Sequence, residues 1–261
     1  MKKSIKYTLI SILSVTVFLL IWFACTDILH LAKPTTLPSP VKVVTSFFDK
    51  ITNPNPDGAT LVKHVWASLK ITLTGYILAV IVGIPLGIAM AWYEKVDLLA
   101  RPIFDLLKPI PGVAWVPLMI IIMGIGFMSK VTVIFIATIV PVVLNTYSGV
   151  KQTKDVHLWV ARTFGASNSQ MLKRIAIPTA LPYIMTGVRV ALGSAWTTIV
   201  AAELIASTKG IGFMIQQARG IYRPDIILVG MLTIGLIGSV LVFILSKIEQ
   251  KIVKGNKRIW T

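Results

Sequence analysis

At 261 residues, 55% of them hydrophobic and 14% charged, with a mean hydropathy of +0.80, the chain lies far from the roughly 25% charged composition of soluble domains and reads as an integral membrane protein. A net charge of +16 and a pI of about 10.1 would suggest nucleic acid in a soluble chain, but no basic-aromatic cluster stands on a soluble stretch here, which sets that class aside. The single Cys25 excludes a disulfide within the chain and a cysteine-built metal site.

Lys2, Lys3 and Lys6 precede an apolar run over 8–29, about 22 residues, long enough at 1.5 Å per residue to cross a core of about 30 Å. A secretory signal has the same basic start but an apolar part of only about 7–15 residues, so this run is expected to be a retained membrane helix. Cys25 falls within it. Lipoprotein-type cleavage there would place bulky Trp22 and Phe23 where processing needs small residues, and packing is the plainer role. Residues 31–63 are polar and broken by Pro34, Pro38, Pro40, Pro54 and Pro56, as an external loop would be, with an amphipathic stretch at 41–48.

A second helix is expected over 65–92, carrying Gly75, Gly83, Pro85 and Gly87, and a charged turn over 93–101 follows. The third, 102–124, contains Pro102, Pro109, Pro111 and Pro117, each lacking a backbone donor, and is expected to be kinked or broken. Helices over 131–150, 182–206 and 225–246 follow, with a charged loop at 151–180 and an external loop through Pro224. Six crossings put both termini on one side. That side, with the 93–101 turn and the 151–180 loop, holds 15 of the 26 Lys and Arg, so the positive-inside rule makes it cytoplasmic.

Within the charged loop, 158–164 suits a short helix, Gly165 is free to take positive φ, and Ser167 with Gln170 has capping-box spacing for a second helix. Met171, Leu172 and Ile175 would share its apolar side and Lys173 and Arg174 its wet side, with Pro178 and Pro182 ending it. Such a loop either docks a partner or coats its own bundle. In the next helix, Arg189, Trp196 and Glu203 recur every seven residues as one stripe, beside small residues at Gly187, Ala191, Ala195, Thr198 and Ala202. Two readings fit the stripe. Arg189 snorkels and Glu203 pairs with Lys130 or Lys209; or the stripe, with the break at Pro109 and Pro111, lines a path in which Arg189 attracts an anion. No Walker motif occurs, Gly210 and Gly212 form a lone G-x-G, and His30, His64 and His157 are scattered, so no nucleotide, metal or catalytic constellation is expected.

The run ARTFGAS, followed by Ile175, Ile177 and Pro178, resembles the EAA loop of ABC importer permeases. Ala161, Gly165, Ile175 and Pro178 fall at the consensus spacing, Ile177 replaces a leucine, and Trp159 and Val160 stand where the consensus has Glu and Ala. KPIPGVAWVPL from Lys108, GIGFMSK from Gly124, and TGVRVALGSAW followed by AAE at Glu203 are similar to the nitrate, sulfonate and taurine branch, which also includes importers of pyrimidine- and flavin-type vitamin precursors. The resemblance covers nearly the whole chain from about Leu37.

It implies an all-α, type I importer-like permease, a single domain over 1–261 in the cell membrane. Trp159, Ala161, Arg162, Gly165, Ala166, Ile175 and Pro178 would form the coupling element for two ATP-binding-cassette subunits. It further implies a homodimer, an extracytoplasmic substrate-binding protein, a sulfonate-, taurine- or nitrate-type solute, and ATP hydrolysed on a separate subunit with no cofactor held by this chain. The rival class is a self-sufficient secondary carrier or channel, for which inverted repeats with half-helix sites would be the sign; none is seen.

Overall fold

The computed structural model describes residues 2–31, 33, 35–205 and 207–257, and their regular structure is helical throughout. The expected break at Pro34, the helix end at Ala206 and the tail residues 258–261 lie outside them. Five helices are long and apolar enough to cross a membrane: Leu9–Ile28, Leu61–Trp92, Phe127–Lys151, Asn168–Ile205 and Pro224–Ile252. A sixth crossing is available from one bent pair, Glu94–Leu107 with Gly112–Met123.

The chain divides into two compact units, Met1–Trp66 with Lys209–Ile234, and Ala67–Thr208 with Gly235–Thr261. In the first, α1 (Lys2–Phe23) passes through a π-helical turn at Ala24–Ile28. The amphipathic stretch becomes α2 (Pro40–Thr52), longer than the sequence suggested because Ser39 caps it, accepting from the Lys42 N–H at 3.2 Å, and Pro40 starts it. Val43, Ser46 and Lys50 face inward at helical spacing. Lys50 is only 1% exposed, and its ammonium donates to the carbonyls of Pro54, Asn55 and Ala59 and to Asp57 at 2.7 Å.

His64 extends this knot. Its Nδ1 accepts the Gly210 N–H at 3.1 Å, so the proton sits on Nε2, which faces Asp57 Oδ1 at 3.2 Å. The expected loop through Pro224 is therefore corrected: α10 (Ile211–Gly220) starts at this anchored Gly210, with Ile211, Met214 and Ala218 buried on one side. Glycines that read as turn signals serve here as the start of a helix. Arg223 forks onto Asp225 at the start of α11 (Pro224–Lys257), and the bond to that carboxylate holds the guanidinium above its ordinary pKa. The Ser46 hydroxyl donates to the same carboxylate at 2.7 Å, tying α2 to α11.

In the second unit, α3 (Leu61–Trp92) and α6 (Phe127–Lys151) run parallel and close. A Cβ on Gly75, Gly83 or Gly87 would fall 2.7–2.8 Å from atoms of Ile134, Val142 and Thr146 respectively, the same spacing on both helices. Glycine is what lets the backbones approach. Gly87→Leu is expected to cost about 1–3 kcal/mol by overpacking, whereas Gly235→Leu, with nothing within 4 Å of its Cβ position, should stay within about 1 kcal/mol. Thermal unfolding of the two purified variants in detergent compares them.

The expected turn at 93–101 is helical: α4 (Glu94–Leu107) begins after extended Tyr93, with Glu94 and Asp97 in its first turn favoured by the helix dipole. Its charges are one side of an amphipathic helix, not a loop. The predicted break is found between α4 and a 3-10 turn (Gly112–Trp115) leading into α5 (Val116–Met123), with a bend of 90°. Pro109 and Pro111 each lack an N–H there. Gly112 then lies so close to α6 that a Cβ there would collide with Ala137.

Beyond α6 lie α7 (Asp155–Thr163), α8 (Asn168–Met171), a π-helical turn at Leu172–Ala176, and α9 (Ile177–Ile205). Pro178 and Pro182 were expected to end the loop's second helix. Instead the helical run from Asn168 to Ile205 spans 38 residues without interruption. The wider i→i+5 bonding of the π turn absorbs a missing donor that would break an α-helix. The small residues of α9 pack on α6: Gly187 sits against Asn145 and the Pro141 carbonyl, and Gly149 of α6 sits against Ala180 and Tyr183.

Candidate functional site

The break between α4 and α5 opens a cavity of about 480 Å³ lined by Lys108, Pro111, Gly112 and Trp115, by α6 from Ile136 to Ser148, and by Ser194 of α9. A second space of about 360 Å³ adjoins it, sharing Pro111, Gly112, Ala137 and Ser194 and adding Thr197, Thr198 and Ala201. The lining is apolar with a few convergent polar groups, the usual make-up of a small-solute site. Pro111 lines it, as does Asn145, whose amide is steadied by donating to the Pro141 carbonyl at 2.8 Å.

The Arg189, Trp196 and Glu203 stripe does not line these spaces; it faces other helices. Arg189 forms an ion pair with Glu249 of α11. Trp196, 7% exposed, packs against Gly238 of the same helix, 3.0 Å from that glycine's Cβ position. Glu203, 1% exposed, has the Ser68 hydroxyl of α3 at 2.8 and 2.9 Å from its two carboxylate oxygens. Lys130 donates to Ser207 at 2.7 Å, and Lys70 lies over the Phe127 ring. What α9 presents to the cavity is the neighbouring side, with Ser194 and Thr197. Hydroxyl residues on an apolar helix are easily taken for self-bonded ones, and Thr197 does bond back to Gly193, so the sequence offered little signal.

The 151–177 loop holds a second constellation. Asp155 opens α7 and Arg162 closes it, each favourable to the helix dipole. Gly165 then takes φ +78°, its N–H bonding the Arg162 carbonyl at 2.9 Å while the Ala166 N–H bonds that of Ala161 at 3.0 Å, the two bonds of a Schellman ending. Ser167 and Gln170 complete the capping box with bonds of 3.3 and 2.8 Å. The elbow frames a hollow of about 400 Å³ lined by Ala161, Gly165, Ala166, Ile175, Met171 and Arg174 among others. Met171, 2% exposed, anchors the elbow, while Trp159 and Phe164 stand out at 63% and 87%. Trp159 and Arg162 are thus exposed on α7, Pro178 sits at the start of α9, and Pro109 is exposed at the break. No group of His, Cys, Asp and Glu suited to a metal ion occurs among the described residues.

Residues 83–256 match the model of the family described as the binding-protein-dependent transport system inner membrane component. The chain belongs to this family. It is a multi-pass inner-membrane permease of an ABC importer. This permease is 38% identical to the taurine transport system permease protein TauC of Escherichia coli over 246 residues, 93% of this chain and 88% of that one. It is 33% identical to the nitrate import permease protein NrtB of Synechocystis over 253 residues, 94% and 89% of the two chains. The permease also has the fold of a chain in the inward-facing MetNI methionine ABC transporter, with a TM-score of 0.61 at 18% identity over 75% of this chain and 95% of that one. The matched span contains the helix break, the 151–177 loop and α9.

Proposed function

We propose that this permease acts as a single transmembrane domain in a homodimer with two ATP-binding-cassette subunits. It passes a small anion, of the sulfonate, taurine or nitrate type, from an extracytoplasmic substrate-binding protein into the cell. The observation that carries the coupling half of this reading is the uninterrupted run from Asn168 to Ile205. Its first turns form the elbow with the exposed Trp159 and Phe164, and its later turns supply Ser194 and Thr197 to the cavity. A movement imposed on the elbow would reach the cavity through one rigid element. The Gly165 elbow, with Ala161, Arg162, Ala166, Ile175 and Pro178, is the docking element, and Trp159 provides an apolar contact where relatives of this class carry an acid.

The solutes for which similar permeases are named, taurine, nitrate, aliphatic sulfonates and bicarbonate, share one feature, a small oxyanion group. That supports the anionic class. The excess of Lys and Arg on one side supports a cytoplasmic position for both termini and the elbow. ATP binding and hydrolysis on the partner would bias a two-state bundle between inward- and outward-facing forms.

The purified chain alone is accordingly expected to bind no nucleotide and hydrolyse none, and to bring down an ATPase subunit when the importer's proteins are co-expressed. Equilibrium dialysis with labelled ATP and affinity purification check this. Robust hydrolysis by the isolated chain would sink the proposal.

A further inference from the structure

We propose that Lys108 is the anion-contacting residue of the cavity and sets its charge selectivity; this rests on the reading above that the solute is a small anion. Lys108 is the one charged residue among those lining the 480 Å³ space, and no carboxylate lines that space or the one adjoining it. Four other cations of this unit are engaged. Arg189 is held by Glu249, Arg101 by Asp97 and Tyr147, Lys130 by Ser207, and Lys70 lies on Phe127. The Lys108 ammonium makes no ion pair among the described residues.

Its position is fixed by the backbone. Lys108 closes α4, its N–H bonded to the Phe104 carbonyl at 2.9 Å, and the 90° bend through Pro109 and Pro111 follows at once. The α6 residues sharing its cavity run from Ile136 to Ser148, about 18 Å of helix and more than half of a core of about 30 Å. Lys108 is exposed in the single chain and lines this cavity, so its ammonium is open to a solute there. An ammonium is a compact point charge with three donors, suited to the oxygens of a sulfonate, nitrate or carbonate-type anion. Ser148 and Ser194 supply hydroxyl groups to the same cavity, and the volume falls within the range of about 300–1,000 Å³ for small-solute sites. Selection by sign therefore belongs to Lys108, not to Arg189.

The test uses the complete importer, with its ATPase and binding protein, in proteoliposomes, and taurine, nitrate and bicarbonate as labelled probes. Lys108→Gln is expected to lower uptake of whichever anion the unaltered importer carries by at least about tenfold, and Lys108→Arg to keep it within about threefold. Because Lys108→Gln could fail to assemble, Lys108→Cys in a Cys25→Ser background offers a unique thiol. Labelling with an aminoethyl thiosulfonate should restore uptake and a sulfonatoethyl thiosulfonate should not, on one and the same folded protein. Equal uptake after both labels, or unaltered uptake by Lys108→Gln, overturns the assignment while leaving the anion-importer reading standing. An unaltered importer that carries none of the three anions overturns both.

Discussion

Gly165→Val is expected to abolish solute uptake and loosen association with the ATPase subunit while leaving membrane insertion intact. Gly165 sits at φ +78° with nothing within 4 Å of its Cβ position, so the penalty comes from the backbone alone. A β-branched residue there costs at least about 1–2 kcal/mol in the left-handed region, enough to turn the elbow out of its Schellman geometry. Since about 1.4 kcal/mol is tenfold in an equilibrium, docking should weaken about five- to thirtyfold or more. Gly165→Asn, which tolerates positive φ, should retain most of the activity. Uptake measured alongside ATPase co-purification checks both variants; full uptake by the valine variant would remove the elbow from the coupling route.

Lys50→Met carries the largest expected cost in stability. The ammonium is buried with three carbonyls and Asp57, whose side chain is fully buried as well. Removing it strands a buried carboxylate, at about 3–5 kcal/mol, and should make the 53–60 segment the first site of proteolysis. Replacing both charges, Lys50→Met with Asp57→Leu, should recover much of the loss, because an apolar pair of similar volume pays no desolvation. Limited proteolysis and thermal unfolding of the single and double variants measure this. A single variant as stable as the parent would show that the knot is not what holds α2 to the 53–60 turn.

Arg189 and Lys108 show how far the linear chain could be read. Seven-residue spacing correctly grouped Arg189, Trp196 and Glu203 on one side of α9, since helical geometry alone fixes which residues share a face. It could not tell which neighbour that face would meet. Glu249 lies 60 positions away, and its meeting with Arg189 depends on how α11 returns. Pro109 and Pro111 marked the bend beside Lys108, but nothing local shows that the bend opens onto a cavity. The elbow was legible for the opposite reason: Gly165, Ser167 and Gln170 act through bonds within a few residues.

Helical, membrane-embedded character, the places of the apolar runs and the glycine elbow in the charged loop could all be read along the linear chain. Those properties follow from hydropathy summed over about 20 residues and from short-range backbone chemistry. Packing was needed to show that α4 is a helix ending in a 90° bend, that the Asn168 to Ile205 run passes through Pro178 and Pro182 unbroken, that α10 grows from Gly210, and that Lys108 lines the cavity. Each of these depends on a partner distant in sequence or on which backbone groups remain free once helices pack. A missing proline donor breaks a helix in one setting and is absorbed by a π turn in another, and packing chooses between them.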